Sequence, residues 1–222
     1  MNRLYFHEVI DPVRQPGAHT RYLDTLGRIV QTEGNARGSA SNGCVAAWVP
    51  LFLTGRWPEI VTFWEMQGGW EGFGAHFDAT PALFHEPLER FYGERLGGFD
   101  RVLVAADYAV SRDQLLPRGW RAPVVLQQSI TLAVGGASDY LARLGEAAPA
   151  IEGPGAPRLF GAYETAWRHG SEVLVLWAFD DFRSLAALQA APYAVPAWAR
   201  WLATSPSLEQ SHTRPVLPPA QT

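Results

Sequence analysis

The chain of 222 residues contains no lysine, because all 18 of its basic residues are arginine. Chemistry through a lysine Schiff base or a lysine nucleophile is thereby excluded. Cysteine is almost missing as well: Cys44 stands alone, which rules out an internal disulfide and a multi-cysteine metal site. No apolar run approaches the ~18 residues of a membrane-spanning helix. The opening residues MNRLYFHEVIDP lack the apolar stretch of a secretory signal. A cytoplasmic protein with no membrane partner is the expectation. A basic field is lacking too. With a net charge of −4, a nucleic-acid partner is not expected. Charged residues are only 18% of the chain and hydrophobic ones 47%, so a sizeable core can form and global disorder is excluded. What the chain has in quantity is aromatic: 9 tryptophans within a 12% aromatic share. They point to an aromatic core, an aromatic-lined pocket, or both. At roughly 100–200 residues per domain, the length suits one large domain or two small ones.

An internal repeat decides between these. Tyr22-Leu23-Asp24-Thr25-Leu26-Gly27 and Tyr140-Leu141-Ala142-Arg143-Leu144-Gly145 both read YLxxLG, and each follows a strand-like run. Downstream, Glu59-Ile60-Val61-Thr62-Phe63-Trp64 matches Glu172-Val173-Leu174-Val175-Leu176-Trp177. The two matches come in the same order at similar spacing. In the first half the pattern predicts strands over 4–10, 45–54 and 59–64, helices over 19–30 and 69–77, and a last strand over 101–106. In the second half it predicts strands over 124–132, 158–167, 172–179 and 214–217, and helices over 138–147 and 182–190. The order is the βαββαβ of a ferredoxin-like unit. The expected organisation is therefore α+β: a first half over 1–110, a linker over 111–122, and a second half over 123–222 with a proline-rich tail. An additional helix is expected over 82–96, where Phe84, Leu88 and Phe91 share a stripe.

A ferredoxin-like sheet carries both helices on one face and leaves the other bare. An apolar bare face must be covered. Two such sheets can pack face to face, and the space between them is either filled or holds a ligand. Whether the halves close on each other or on a second copy, as a homo-oligomer, is left open by the sequence. Alternation on the first strand of each half assigns the faces. Leu4, Phe6 and Ile10 should meet the helices. Tyr5 and His7 should look the other way, with Gln127 and Ser129 in the corresponding positions of the second half. Polar groups among aromatics suit an orienting pocket, and they equally suit a hydrogen-bonded core.

The strand LYFHEVI, the Pro16-Gly17 turn, the YLxxLG helix and the hairpin FLTGRWPEIVTFWEM together resemble the NIPSNAP-like branch of the dimeric α+β barrel superfamily. The second half contributes VLQQSITL, YLARLG and SEVLVLWAF. It departs in its hairpin, where Arg168-His169-Gly170 replaces a glycine-led turn, and it has Ala178 where the first half has Glu65. The resemblance implies two ferredoxin-like halves forming a barrel-type pseudo-dimer. It brings no catalytic set with it. It implies a range of activities: cofactor-free aromatic monooxygenases, cyclases, isomerases, haem-binding members and proteins without catalysis.

From the residues, His7 and Glu164 are the candidate proton-transfer groups, a buried carboxylate having a raised pKa and the power to abstract a proton. Tyr5, Gln127, Tyr163 and Trp64 are the candidate substrate contacts. Trp64 and Trp177 occupy matching places, which also suits simple core packing. The six histidines show no metal-binding spacing, so no metal is expected. His76 and His85 are the positions from which a haem could be ligated. The glycine-dense 68–74 lacks the order of a nucleotide loop. The leading reading is an enzyme for a hydrophobic, aromatic or polyketide-like small molecule, acting by proton transfer without a cofactor. A haem-binding barrel and a non-catalytic scaffold are the alternatives.

Overall fold

The computed structural model describes residues 3–36, 43–51, 58–83, 92–115, 122–153, 155–204 and 211–217. The chain divides into two compact units, with the boundary between Val102 and Leu103.

The first unit runs β1 (Leu4–Pro12), α1 (Ala18–Ala36), β2 (Gly43–Pro50), β3 (Ile60–Met66), α2 (Gly69–Leu83) and the start of β4 (Arg95–Ala105). Its antiparallel sheet has the order β4-β1-β3-β2. Gly98 allows β4 to lie close to β1: a Cβ there would stand 2.1 Å from the carbonyl oxygen of Val9. On the helix-covered face, Ile10 and Ile60 pack with Tyr22 and Leu26 of α1. Phe6 meets Phe73 and Phe77 of α2 at ring separations of 6.3 and 6.1 Å.

The second unit begins inside β4, whose residues Leu103, Val104 and Ala105 pair with β6. It continues with a one-turn helix α3 (Arg112–Leu115), β5 (Val124–Thr131), α4 (Gly136–Ile151), β6 (Arg158–Thr165), β7 (Glu172–Phe179), α5 (Phe182–Ala190), α6 (Pro196–Thr204) and β8 (Ser211–Leu217). The sheet order is β8-β5-β7-β6. Val124, Leu126, Ile130, Val173, Val175 and Trp177 form its core with Tyr140, Leu141 and Leu144 of α4 and Trp198 and Trp201 of α6. The turn between β6 and β7 holds Trp167 and His169 at φ of 59° and 51°. Such left-handed backbone costs an ordinary residue about 1–3 kcal/mol, where a glycine would adopt it freely.

The two units are the same structure at the level of register. Leu4 to Ile10 pair with Met66 to Ile60, and Val124 to Ile130 pair with Phe179 to Val173, in step over seven pairs. Phe6 faces Trp64 as Leu126 faces Trp177, and His7 faces Phe63 as Gln127 faces Leu176. Even the irregularity repeats. β2 is bulged between Cys44 and Ala46, next to the partners of Trp64 and Phe63. β6 is bulged between Leu159 and Gly161, next to the partners of Trp177 and Leu176. Bulges re-aim side chains and are not defects, so the duplication covers fine geometry as well as element order.

Several expectations are corrected. The last strand of the first unit starts at Arg95, which removes the end of the helix expected over 82–96, and residues 84–91 lie outside the described ones. α2 continues to Leu83 instead of stopping at 77, and α1 runs to Ala36 instead of stopping at 30. The segment expected as linker contains α3, and α6 is an unexpected helix. Among the described residues, no helix is long and apolar enough to cross a membrane.

Candidate functional site

Alternation along β1 and β3 places Tyr5, His7 and Val9 with Val61, Phe63 and Glu65 on the face away from the helices. Trp48 of β2, the partner of Val61, joins them. This face has an aromatic floor. Tyr5 stacks on Phe63 with ring centroids 4.9 Å apart and planes 9° apart. Trp48 lies 5.9 Å from the same ring, and His7 meets it edge-on at 6.4 Å. Within this apolar setting the Tyr5 hydroxyl donates to Glu65 Oε2 at 2.9 Å. His7 is 1% exposed and Glu65 8%. Ionisable side chains are seldom buried this deeply without a reason.

Burial pushes the Tyr5 phenol far above its ordinary value. The Glu65 charge and the hydrogen bond to it act in the same direction, and Arg3 opposes them. Tyr5 therefore keeps its proton and works as a donor that holds one oxygen of Glu65 in place. Glu65 is not among the candidates that the sequence motifs single out. Its signal was present: Val61, Phe63 and Glu65 alternate with Thr62 and Trp64, so Glu65 and not Trp64 shares the face of Tyr5.

Trp64 points to the helices. Its indole Nε1 donates to Glu8 Oε2 at 2.9 Å, and Glu8 also accepts from the Thr62 hydroxyl and faces Arg95 at 3.3 Å. The Arg95 guanidinium donates to Tyr22 and lies 4.6 Å from the centre of the Tyr92 ring. In the second unit, Trp177 Nε1 donates to Gln128 Oε1 at 2.8 Å, at the position matching Glu8. The paired tryptophans are thus core anchors, and Trp64 is withdrawn from the substrate contacts.

The second unit's uncovered face carries Val125, Gln127, Leu174, Leu176, Ala178 and Tyr163. The ring of Tyr163 lies over Gly161, where a Cβ would come within 2.2 Å of the hydroxyl oxygen. Gln127 and Tyr163 are both buried, at 3% and 0% exposure. Glu164 pairs with Val173, which belongs to the helix-side core, so it stands on the opposite face from Tyr163. Glu164, a candidate proton-transfer group, is thus turned to the helix-covered face, unlike Tyr163, Tyr5 and His7. Tyr5, His7, Gln127 and Tyr163 do occupy uncovered faces, two in each unit.

The ring of His76 packs against Phe6 and Phe77 at 6.3 and 5.2 Å on the helix-covered face, opposite Tyr5 and His7. His85 lies outside the described residues. Among the described residues, no group of three or more metal-ligating side chains is assembled. An open groove of about 320 Å³ between α4 and α6, bordered by Arg143, Arg200 and Trp201, lies in the helix layer of the second unit.

The buried phenols set a limit on alkaline stability. Tyr22 and Tyr140, like Tyr5, are raised above their ordinary value, in each case chiefly by burial. A group whose folded pKa is raised contributes its full stability below its unfolded pKa and loses it above. For tyrosine that loss begins near pH 10. On titration from pH 9 to 12, tyrosinate absorbance at 295 nm is expected to rise together with loss of ellipticity. Ionisation of Tyr5, Tyr22 or Tyr140 before unfolding would contradict the burial described.

No family model and no curated protein matches the sequence, so the narrower NIPSNAP-like resemblance rests on its motifs alone. Solved structures do match along nearly the whole chain. A candidate monooxygenase from Lactobacillus acidophilus superposes with a TM-score of 0.65 at 6% identity, covering 98% of this chain and 94% of that one. An anthrone oxidase-like protein gives 0.57 at 12%, covering 97% and 91%. A variant chlorite dismutase from Candidatus Nitrospira defluvii, in complex with cyanide, gives 0.53 at 10%, covering 97% and 91%. At such identities the likeness establishes architecture only. The chain carries the dimeric α+β barrel fold, with two ferredoxin-like units in tandem.

Proposed function

We propose that the protein is an enzyme that binds a hydrophobic, aromatic small molecule at the uncovered face of the first unit and removes a proton from it. The observation that carries this reading is an internal control. The second unit builds the same sheet in the same register with Val125, Gln127 and Ala178 at the positions of Tyr5, His7 and Glu65. The fold therefore does not require the phenol, the imidazole or the carboxylate, yet the first unit buries all three. Burying polar and charged groups is costly unless they are paired, and perturbed or buried titratable groups collect at functional sites.

In this reading Glu65 is the base. Its carboxylate accepts a proton from an activated C–H of the substrate, and the electron pair left behind spreads into the aromatic system as an enolate. Tyr5 holds the carboxylate, and His7 donates toward the developing oxyanion. The aromatic floor of Phe63 and Trp48 binds the ring system by offset or edge contacts. The enolate then isomerises, cyclises, or reacts with dissolved dioxygen as oxidant. Such a sequence needs no bound redox group. Likeness to an anthrone oxidase-like protein and to a candidate monooxygenase supports trying hydroxylated anthrones first. No member of the set is more than 8% exposed, so substrate reaches it through a local opening.

The test is turnover of dithranol, a dihydroxyanthrone, followed by quinone absorbance and dioxygen uptake. The wild type is expected to accelerate it and His7→Ala to lose the acceleration while keeping its cooperative melting. Absorbance near 400 nm is read in the same samples. A purified protein with a Soret band that tracks the activity would replace this reading with a haem-dependent one. Full activity in His7→Ala would remove the imidazole from the mechanism.

A further inference from the structure

We infer that the acid–base chemistry belongs to the first unit alone, so that each chain has one working site and the second unit is a copy whose site has lapsed. This rests on the reading just given and sharpens it. If duplication had kept two sites, the second unit would carry the same phenol, imidazole and carboxylate. It does not.

On the helix-covered side the main anchors correspond, although Phe6, Thr62 and Met66 are matched by Leu126, Val175 and Phe179. Trp64 matches Trp177, Ile10 matches Ile130, and Ile60 matches Val173, as the two registers show. Each indole N–H finds a side-chain oxygen at the same place, Glu8 in one unit and Gln128 in the other. The bulge before the inner-facing residues of β2 and β6 is shared too.

On the uncovered side, each ionisable member of the proposed set has a partner that cannot exchange a proton near neutral pH. Val125 replaces Tyr5, Gln127 replaces His7, and Ala178 replaces Glu65. Leu176 replaces Phe63, so the ring on which Tyr5 stacks is lost as well. Trp48 is matched by Tyr163, so one aromatic ring is kept on this face. Every ionisable member of the proposed set is thus missing from the second unit.

The experiment is a binding titration of dithranol under nitrogen, where the ligand is not oxidised, on the full chain. One ligand per chain is expected. The variant Tyr5→Val/His7→Gln/Glu65→Ala, which gives the first unit the second unit's residues, is expected to melt cooperatively and to bind at least about tenfold more weakly, a loss of ~1.4 kcal/mol. Glu65→Ala alone serves if the triple variant does not fold. Two ligands per chain, or undiminished binding by the variants, would overturn the single working unit while leaving the enzymatic reading to its own turnover test. No binding by the wild type would overturn both.

Discussion

Trp177→Ala is expected to lower stability by about 3–5 kcal/mol, the range for removing a large buried aromatic, and the melting temperature by roughly 10 °C or more. Trp177 is 0% exposed. Its ring meets Trp198 of α6 edge-on at 5.1 Å, and its indole N–H is satisfied by Gln128. The substitution therefore opens a cavity, strands the Gln128 oxygen and loosens the hold on α6. Trp177→Phe separates these contributions. It keeps most of the ring and loses the hydrogen bond, so a cost of about 1–3 kcal/mol is expected from the unpaired amide alone. Both are measured by denaturant unfolding followed by circular dichroism. A loss below about 1 kcal/mol for Trp177→Ala would show that α6 and β7 are not joined as described.

Much of this architecture was legible because strands report a period of two and duplication reports itself twice. YLxxLG and the spaced Glu-to-Trp segment placed Tyr22 against Tyr140 and Trp64 against Trp177. Alternation on β1 and β5 assigned Tyr5, His7 and Gln127 to the uncovered faces. The failures have physical causes. A bulge exchanges the faces of every residue beyond it, and the one at Phe160 is what sets Tyr163 and Glu164 on their sides. Nothing in RLFGAYET announces it. α6 opens with a proline, which reads as loop in a proline-rich stretch. Its fixed φ suits the first turn of a helix, and Trp198 and Trp201 then turn inward. The strand at Arg95 was hidden behind helical spacing in the preceding residues. For the site, the error was one of adjacency. The match with Trp177 singles out Trp64, whereas alternation sends its neighbour Glu65 to Tyr5.

Glu65→Gln is the substitution that separates chemistry from structure most sharply. The amide has almost the shape of the carboxylate, and its oxygen still accepts the Tyr5 hydroxyl at the 2.9 Å position. Stability should change little, because a neutral amide is also easier to bury than a charge. What disappears is the capacity to take a proton. A positioned general base contributes about 10²–10⁴ in rate, so kcat for dithranol is expected to fall by that factor with a small change in KM. Tyr5→Phe leaves the base in place and removes only its tether, which predicts a smaller fall, on the order of tenfold, for one lost positioning hydrogen bond of ~1 kcal/mol or slightly more. The ordering of the two variants carries the argument. Were Glu65 only a buried acceptor for Tyr5, both substitutions would act through stability and leave kcat near the wild-type value. A Glu65→Gln protein that turns over within a few-fold of the wild type would therefore return the Tyr5–Glu65 pair to the role of a core hydrogen bond, and the base would have to be sought elsewhere in the chain.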